Sequence, residues 1–161
     1  MTDLDQRLAA LEARVQELSD TLEVMRVIAS YAPSVDGGAA DVIGRFWTED
    51  AVYDSDADAP LVGRGPMVEL AERVGGLTFG AAHFFNLPIV TVQGDHAVVT
   101  GESNTYHQEG DRYVVARVSS NRWELDRVDG TWQVRHRVNR LLDGSPEARE
   151  LLARGTRESL G

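Results

Sequence analysis

Two strand-like runs meet at Asp129-Gly130, and no other feature of the chain restricts its fold as much. Asp-Gly readily takes the two left-handed conformations of a type I′ turn, whose twist matches that of the strands it joins. Arg112 to Val128 lies before the turn and Trp132 to Leu142 after it. Upstream, His83 to Val92 and Ala97 to His107 read as two further strands, separated by the turn residues Gly94-Asp95. Glu109-Gly110-Asp111 closes the second strand onto the third. The second half of the chain is therefore expected to be a four-strand antiparallel meander.

The first half reads as helical. Leu4, Leu8, Leu11, Val15, Leu18, Leu22 and Met25 alternate steps of four and three, which is a heptad seam. Thr2 or Asp3 can cap its start. Two readings stay open: an amphipathic helix lying on its own domain, or an arm that packs against another subunit. Helix continues through Tyr31, and Pro33 is expected to kink or end it. Asp36-Gly37-Gly38 reads as a turn, Ala39 to Trp47 as a short helix, Ala51 to Tyr53 as a short strand, and Asp54 to Pro60 as an acidic loop. Gly65-Pro66 opens a helix over Met67 to Val74, which Gly75-Gly76 is expected to stop. Residues 144–161 form a polar tail, helical from Pro146.

Helices followed by a meander predict an α+β fold, a curved antiparallel sheet wrapped around helices to leave a cone-shaped pocket. The expected organisation is an N-terminal helical extension over 1–24, one domain over 25–143 and a C-terminal tail over 144–161.

Composition narrows the function. The 161 residues carry a formal net charge of −10, which disfavours nucleic acid and anionic membrane surfaces as partners. No cysteine is present, so disulfides, thiolate metal sites and cysteine nucleophiles are excluded. All 16 cationic side chains are arginine, which removes lysine Schiff-base chemistry and a P-loop lysine. No apolar run approaches the ~20 residues of a membrane span. The N-terminus lacks a signal-peptide pattern, so a cytoplasmic location is expected. Neither a His-x-His nor an HExxH pattern occurs, and GxGxxG, P-loop and G-x-S-x-G motifs are missing as well. No metal or cofactor is expected.

Strand alternation shows which side chains share a face. In the third strand Val115, Arg117, Ser119, Asn121, Trp123 and Leu125 point one way; in the fourth, Trp132, Val134, His136, Val138 and Arg140 do. His83, Phe85, Leu87 and Ile89 share a face in the first, and Ser103, Thr105 and His107 in the second. Isolated polar groups among bulky apolar ones suit a ligand pocket better than a pure core. His83 opens an apolar strand and is the best titrating candidate, with Asp36 as its partner. On the residues alone, His83 also reads as a buried structural histidine and Asp36 as a turn aspartate bonding its own backbone. His96 reads as a solvated turn residue, and His136 faces either the core or the pocket.

The order Tyr31 and Asp36 on a first helix, Trp47-Thr48-Glu49-Asp50-Ala51-Val52-Tyr53, His83 opening a strand, and the Val128-Asp129-Gly130-Thr131-Trp132 hairpin resembles the SnoaL-like branch of the nuclear transport factor two-like superfamily. The resemblance covers about residues 20–143. It is strongest toward scytalone dehydratase, a bile-acid dehydratase and hexachlorocyclohexane dehydrochlorinase. These enzymes run eliminations with an aspartate from the first helix and a histidine at a strand start. The resemblance implies catalytic roles for His83, Asp36 and Tyr31. It implies substrate-binding roles for Tyr53, His107, Ser119, Asn121 and Arg140. Val35 departs from scytalone dehydratase, which has a tyrosine before the aspartate.

The resulting expectation is a cofactor-independent lyase of the dehydratase type, with His83 as base and Asp36 orienting it, in secondary or steroid- and polyketide-type metabolism. An isomerase or cyclase would use the same dyad without a leaving group, and a non-catalytic ligand-binding or assembly domain is the alternative of another class. The expected partners are a small hydrophobic substrate bearing hydroxyl or carbonyl groups and, in a homodimer or homotrimer, further copies of the chain.

Overall fold

The computed structural model describes residues 2–56, 59–77 and 80–160, the side chains of 74–77 excepted. Asp129 and Gly130 have φ of 49° and 76°, the two left-handed positions that a type I′ turn requires. They join β6 (Arg112–Val128) to β7 (Thr131–Leu141). The preceding strand β5 (His96–Glu109) pairs antiparallel with β6 along its whole length.

The strand expected over 83–92 is two strands, β3 (Ala81–Phe85) and β4 (Ile89–Gln93), both antiparallel to β5 on the same edge. Pro88 sits in the break, where proline cannot donate a ladder hydrogen bond. In the first half, the short helix ends sooner than expected. α2 (Ala40–Ile43) passes through a 3₁₀ turn at Gly44–Phe46 into β1 (Trp47–Ser55). β1 is longer than the expected strand and takes Asp54 and Ser55 from the acidic loop; residues 57 and 58 of that loop lie outside the described residues. β2 (Leu61–Val62) was not legible and pairs antiparallel with β1.

The sheet order is β2-β1-β7-β6-β5-β3, with β4 also on β5. All pairings are antiparallel except β1 with β7, which is parallel. This mixed, curved sheet with its helices is the α+β architecture expected.

α1 runs unbroken over Asp3–Asp36, opened by a capping box in which Thr2 Oγ1 accepts from the Asp5 amide and Asp5 accepts from the Thr2 amide. Pro33 does not end it: the residue costs the backbone hydrogen bond to the preceding turn, and α1 continues past it to Asp36. α1 crosses the expected boundary at residue 24, and its domain face begins at Asp20 and continues through Val24, Ile28, Tyr31, Ala32 and Val35. α3 (Arg64–Leu77) runs through Gly75-Gly76, which do not stop it. Both helices cover the concave face of the sheet, and their apolar residues form one core with Trp47, Trp123, Leu125 and Trp132.

The tail is helix α4 (Pro146–Leu160), which packs on the opposite, convex face. It approaches closely at Gly155, where a Cβ would overlap the Thr100 side chain. Arg122 and Glu158, 2.7 Å apart, fasten it. Among the described residues no helix is long and apolar enough to cross a membrane.

Candidate active site

Asp36 is the last residue of α1, and His83 stands third in β3. The helix end brings the carboxylate against the strand, and Asp36 meets His83 twice. Its Oδ2 accepts from the His83 backbone amide at 2.7 Å, and its Oδ1 lies 2.5 Å from the ring Nδ1. The two contacts fix both the position of the strand start and the rotation of the imidazole. A carboxylate at Nδ1 holds the proton there, so Nε2 presents its lone pair. No hydrogen bond engages Nε2 among the described residues.

His83 lines a cavity of about 200 Å³ between α1, α3 and the concave face of the sheet. Tyr31, Val35, Tyr53 and Phe85 supply apolar surface, and Ser103, Thr105, Arg117, Ser119, Arg137 and Asn139 supply polar groups. Burial pushes the Tyr31 phenol up, and the neighbouring Arg137 guanidinium only partly offsets this. Tyr31 therefore stays protonated at neutral pH and can donate a hydrogen bond to a ligand.

Two arginines share the cavity and differ in their compensation. Arg117 Nη2 contacts the Asp56 carboxylate, and its Nε donates to Ser119 Oγ at 2.8 Å. Burial would raise Asp56, but hydrogen bonds from the Leu141 amide and Arg117 outweigh it and hold the carboxyl below its usual range. Arg137 is only 6% exposed and makes no ion pair among the described residues. Its guanidinium carbon lies 4.0 Å from the Trp123 ring centroid and 4.7 Å from that of Tyr53. Arg137 donates to Asn121 Oδ1 from Nε at 3.3 Å and from Nη2 at 2.8 Å. A desolvated cation held by ring faces and one amide oxygen is costly without an anion. The arrangement suits a ligand oxygen that carries negative charge.

Asn121 holds this floor together. Its Oδ1 also accepts from Asn139 Nδ2 at 2.8 Å, and its Nδ2 donates to Ser103 Oγ at 2.9 Å. Asn139 Oδ1 in turn accepts from Arg117 Nη2 at 3.0 Å. Every member of the chain has its direction set by a neighbour, which makes the floor rigid.

Of the residues expected at the site, His83, Tyr31, Tyr53 and Ser119 line the cavity, and Asp36 is joined to His83. Asn121 lies behind the lining and acts through Arg137 and Asn139. Two expectations are corrected. His107 is exposed beyond the cavity, paired with Ala81 near the end of the sheet. Arg140 faces away and binds Asp54 and Glu147, at 2.8 and 2.6 Å. The hydrogen bonds that Arg140 donates to Asp54 hold its guanidinium protonated even more firmly than usual.

The Arg140 correction has its cause in the pairing of β7. The β6–β7 register shifts between Glu124 and Leu125, which pair with His136 and Val134 and leave Arg135 as an extra residue. A bulge reverses the faces beyond it. Trp132 and Val134 face inward, and then Arg137 and Asn139 do, whereas strict alternation had put His136 and Arg140 there. A second shift between Thr105 and Tyr106 leaves Ala116 extra in β6 and turns Val115 outward. No residue-level signal in β7 announces its bulge, so Arg137 was missed.

A protein-family model for a SnoaL-like domain matches residues 16–138. No curated protein matches the chain. Among solved structures, an NTF2-like protein with a cystatin-like fold from Novosphingobium aromaticivorans is 36% identical, over 90% of this chain and 96% of that chain, with a TM-score of 0.84. A protein of unknown function from Mycobacterium tuberculosis is 18% identical over 88% of this chain and 97% of that chain, at a TM-score of 0.72. A suspected scytalone dehydratase from Novosphingobium aromaticivorans is 17% identical over 77% of this chain and 85% of that chain, at a TM-score of 0.68. The last two likenesses are of fold.

Proposed function

The chain belongs to the SnoaL-like domain family, and on that premise we propose that it is a cofactor-independent lyase that eliminates water from a compact carbonyl substrate. The observation that carries this reading is the His83–Asp36 pair, 2.5 Å apart, at a cavity that also holds Arg137, which has no ion pair among the described residues. His83 Nε2 takes the proton from the carbon beside the carbonyl. The electron pair moves into the carbonyl, and Arg137 meets the oxygen that gains the charge. The pair then returns to form the carbon–carbon double bond as the neighbouring C–O bond breaks. Tyr31 or Tyr53 supplies a hydrogen bond to the departing hydroxyl, which leaves as water with the proton that His83 Nε2 took and now returns. Asp36 stabilises the imidazolium formed in the first step.

The mixed lining supports this order of events, because Arg137 and the tyrosines supply donors of two kinds, a cation and neutral hydroxyls, for the two oxygens. The small cavity favours a single or fused ring over a long chain. The test is incubation of the wild type with a panel of ring compounds carrying a hydroxyl β to a carbonyl, followed by mass spectrometry for loss of water. The expected result is dehydration of at least one member by the wild type and not by His83→Ala. Equal conversion by both proteins would remove the proposal.

A further inference from the structure

The N-terminal half of α1 presents an apolar seam that its own domain does not cover. Leu4, Leu8, Leu11, Val15, Leu18 and Leu22 are between 50 and 63% exposed. Every residue from Thr2 to Leu18 is exposed, so the reading of a helix lying on its own domain does not hold for this stretch. A helix of this length is marginal in water without packing. The arm is nonetheless anchored at its base. Asp20 binds Arg127 at 2.5 Å, and Gln16 Nε2 donates to Asp20 Oδ1 at 2.9 Å. Arg127 is itself seated over the Trp132 ring, 4.4 Å from its centroid. The seam therefore leaves the domain in a fixed direction.

We propose that the arm is covered by the arm of a second copy of this chain, in a parallel, in-register coiled coil. The charges beside the seam carry the choice of partner and direction. With Leu8, Val15 and Leu22 at a positions and Leu4, Leu11 and Leu18 at d, Arg7 and Arg14 occupy g and Asp5 and Glu12 occupy e. In a parallel pair each g position faces the e position five residues on in the other helix. Arg7 of one copy then meets Glu12 of the other, twice by symmetry. In an antiparallel pair with the seams fully overlapped, g faces g and e faces e. Arg14 then meets Arg14 and Glu12 meets Glu12, so the same charges oppose it. Val15 at a with leucine at d favours two strands. The seam from Leu4 to Leu22 is about 27 Å long at ~1.5 Å per residue, close to the shortest length that sustains such a pair.

The test uses the full chain. Light scattering at micromolar concentration is expected to give twice 17.7 kDa. Leu11→Asp/Leu18→Asp is expected to give the monomer mass with an unchanged circular dichroism spectrum outside the helical band. Arg7→Glu and Glu12→Arg should each weaken the dimer, and the double swap should restore it. Because the chain has no cysteine, Leu4→Cys reports direction directly. Under mild oxidation it should give a covalent dimer, since Leu4 meets its own copy only in the parallel register. A wild type of monomeric or trimeric mass overturns the proposal. So does a dimer that survives Leu11→Asp/Leu18→Asp, or a Leu4→Cys dimer that fails to cross-link.

Discussion

Among the described residues two histidine–aspartate pairs share the same Nδ1–carboxylate contact, and they differ in the charges that surround them. His83 and Asp36 are 2.5 Å apart through Nδ1, and His96 and Asp126 are 2.8 Å apart through the same ring atom. The first pair adjoins a cavity with an arginine, Arg137, that has no counter-charge among the described residues. The second lies across the β5–β6 pairing beside a hollow whose arginine, Arg122, is paired with Glu158 at 2.7 Å, and Asp126 is also engaged by Arg135 at 3.1 Å. The contrast teaches that the hydrogen bond alone does not make a base. A base needs a free ring nitrogen, a place for substrate and a charge to receive the electrons.

The largest test of this contrast removes the two histidines in turn. On a substrate found by the dehydration screen, His83→Ala is expected to lower kcat by roughly 10² to 10⁴. His96→Ala should leave kcat within about twofold, as a surface substitution does. Equal losses would break the comparison. Asp36→Asn keeps the shape but offers the imidazole the wrong partner, so it should also lose rate heavily. In Asp36→Asn/His83→Ala the defects should not add, because one group acts through the other. Steady-state kinetics of the four proteins decides this.

A smaller effect is expected from the arginines. Arg137→Met removes a charge-assisted hydrogen bond worth about 1.5–3 kcal/mol, so kcat/KM should fall by roughly 10- to 100-fold. Arg140→Leu should leave ligand affinity unchanged in calorimetry, since Arg140 is already paired with Asp54 and Glu147 outside the cavity. An Arg140→Leu protein that loses affinity while Arg137→Met keeps it would reverse the assignment.

The smallest effect concerns Asp56, which neutralises the second cavity arginine. Its folded pKa is depressed, so the stabilisation it gives is present above its unfolded pKa and is lost as pH falls through the folded value. The melting temperature of Asp56→Asn should therefore lie below that of the wild type at pH 7, and the gap should close toward pH 2. A gap that stays constant with pH would mean that the Asp56 charge plays no part in it.

Much of the fold was legible because its signals are local. Asp129-Gly130 specifies its own turn, β6 has the bounds its alternation predicts, and the heptad steps mark α1. The residues alone offered Asp36 only as a candidate partner of His83, because the two positions lie far apart in the chain, and family resemblance strengthened the pairing. Strand breaks and helix ends were less legible, because proline and glycine lower the tendency to form helix without forbidding it, as Pro33 and Gly75-Gly76 show.

The sequence by itself determined the alternation within each strand, the heptad seam of the N-terminal helix and the absence of lysine and cysteine chemistry. Tertiary structure alone decided which arginine enters the cavity. An alternating strand has period two, so one extra residue at Arg135 exchanges the inward and outward sets beyond it. That extra residue exists only in relation to β6, the strand opposite. Arg137 faces the cavity and Arg140 faces Asp54 because two strands pair with unequal residue counts, a property that neither strand carries alone.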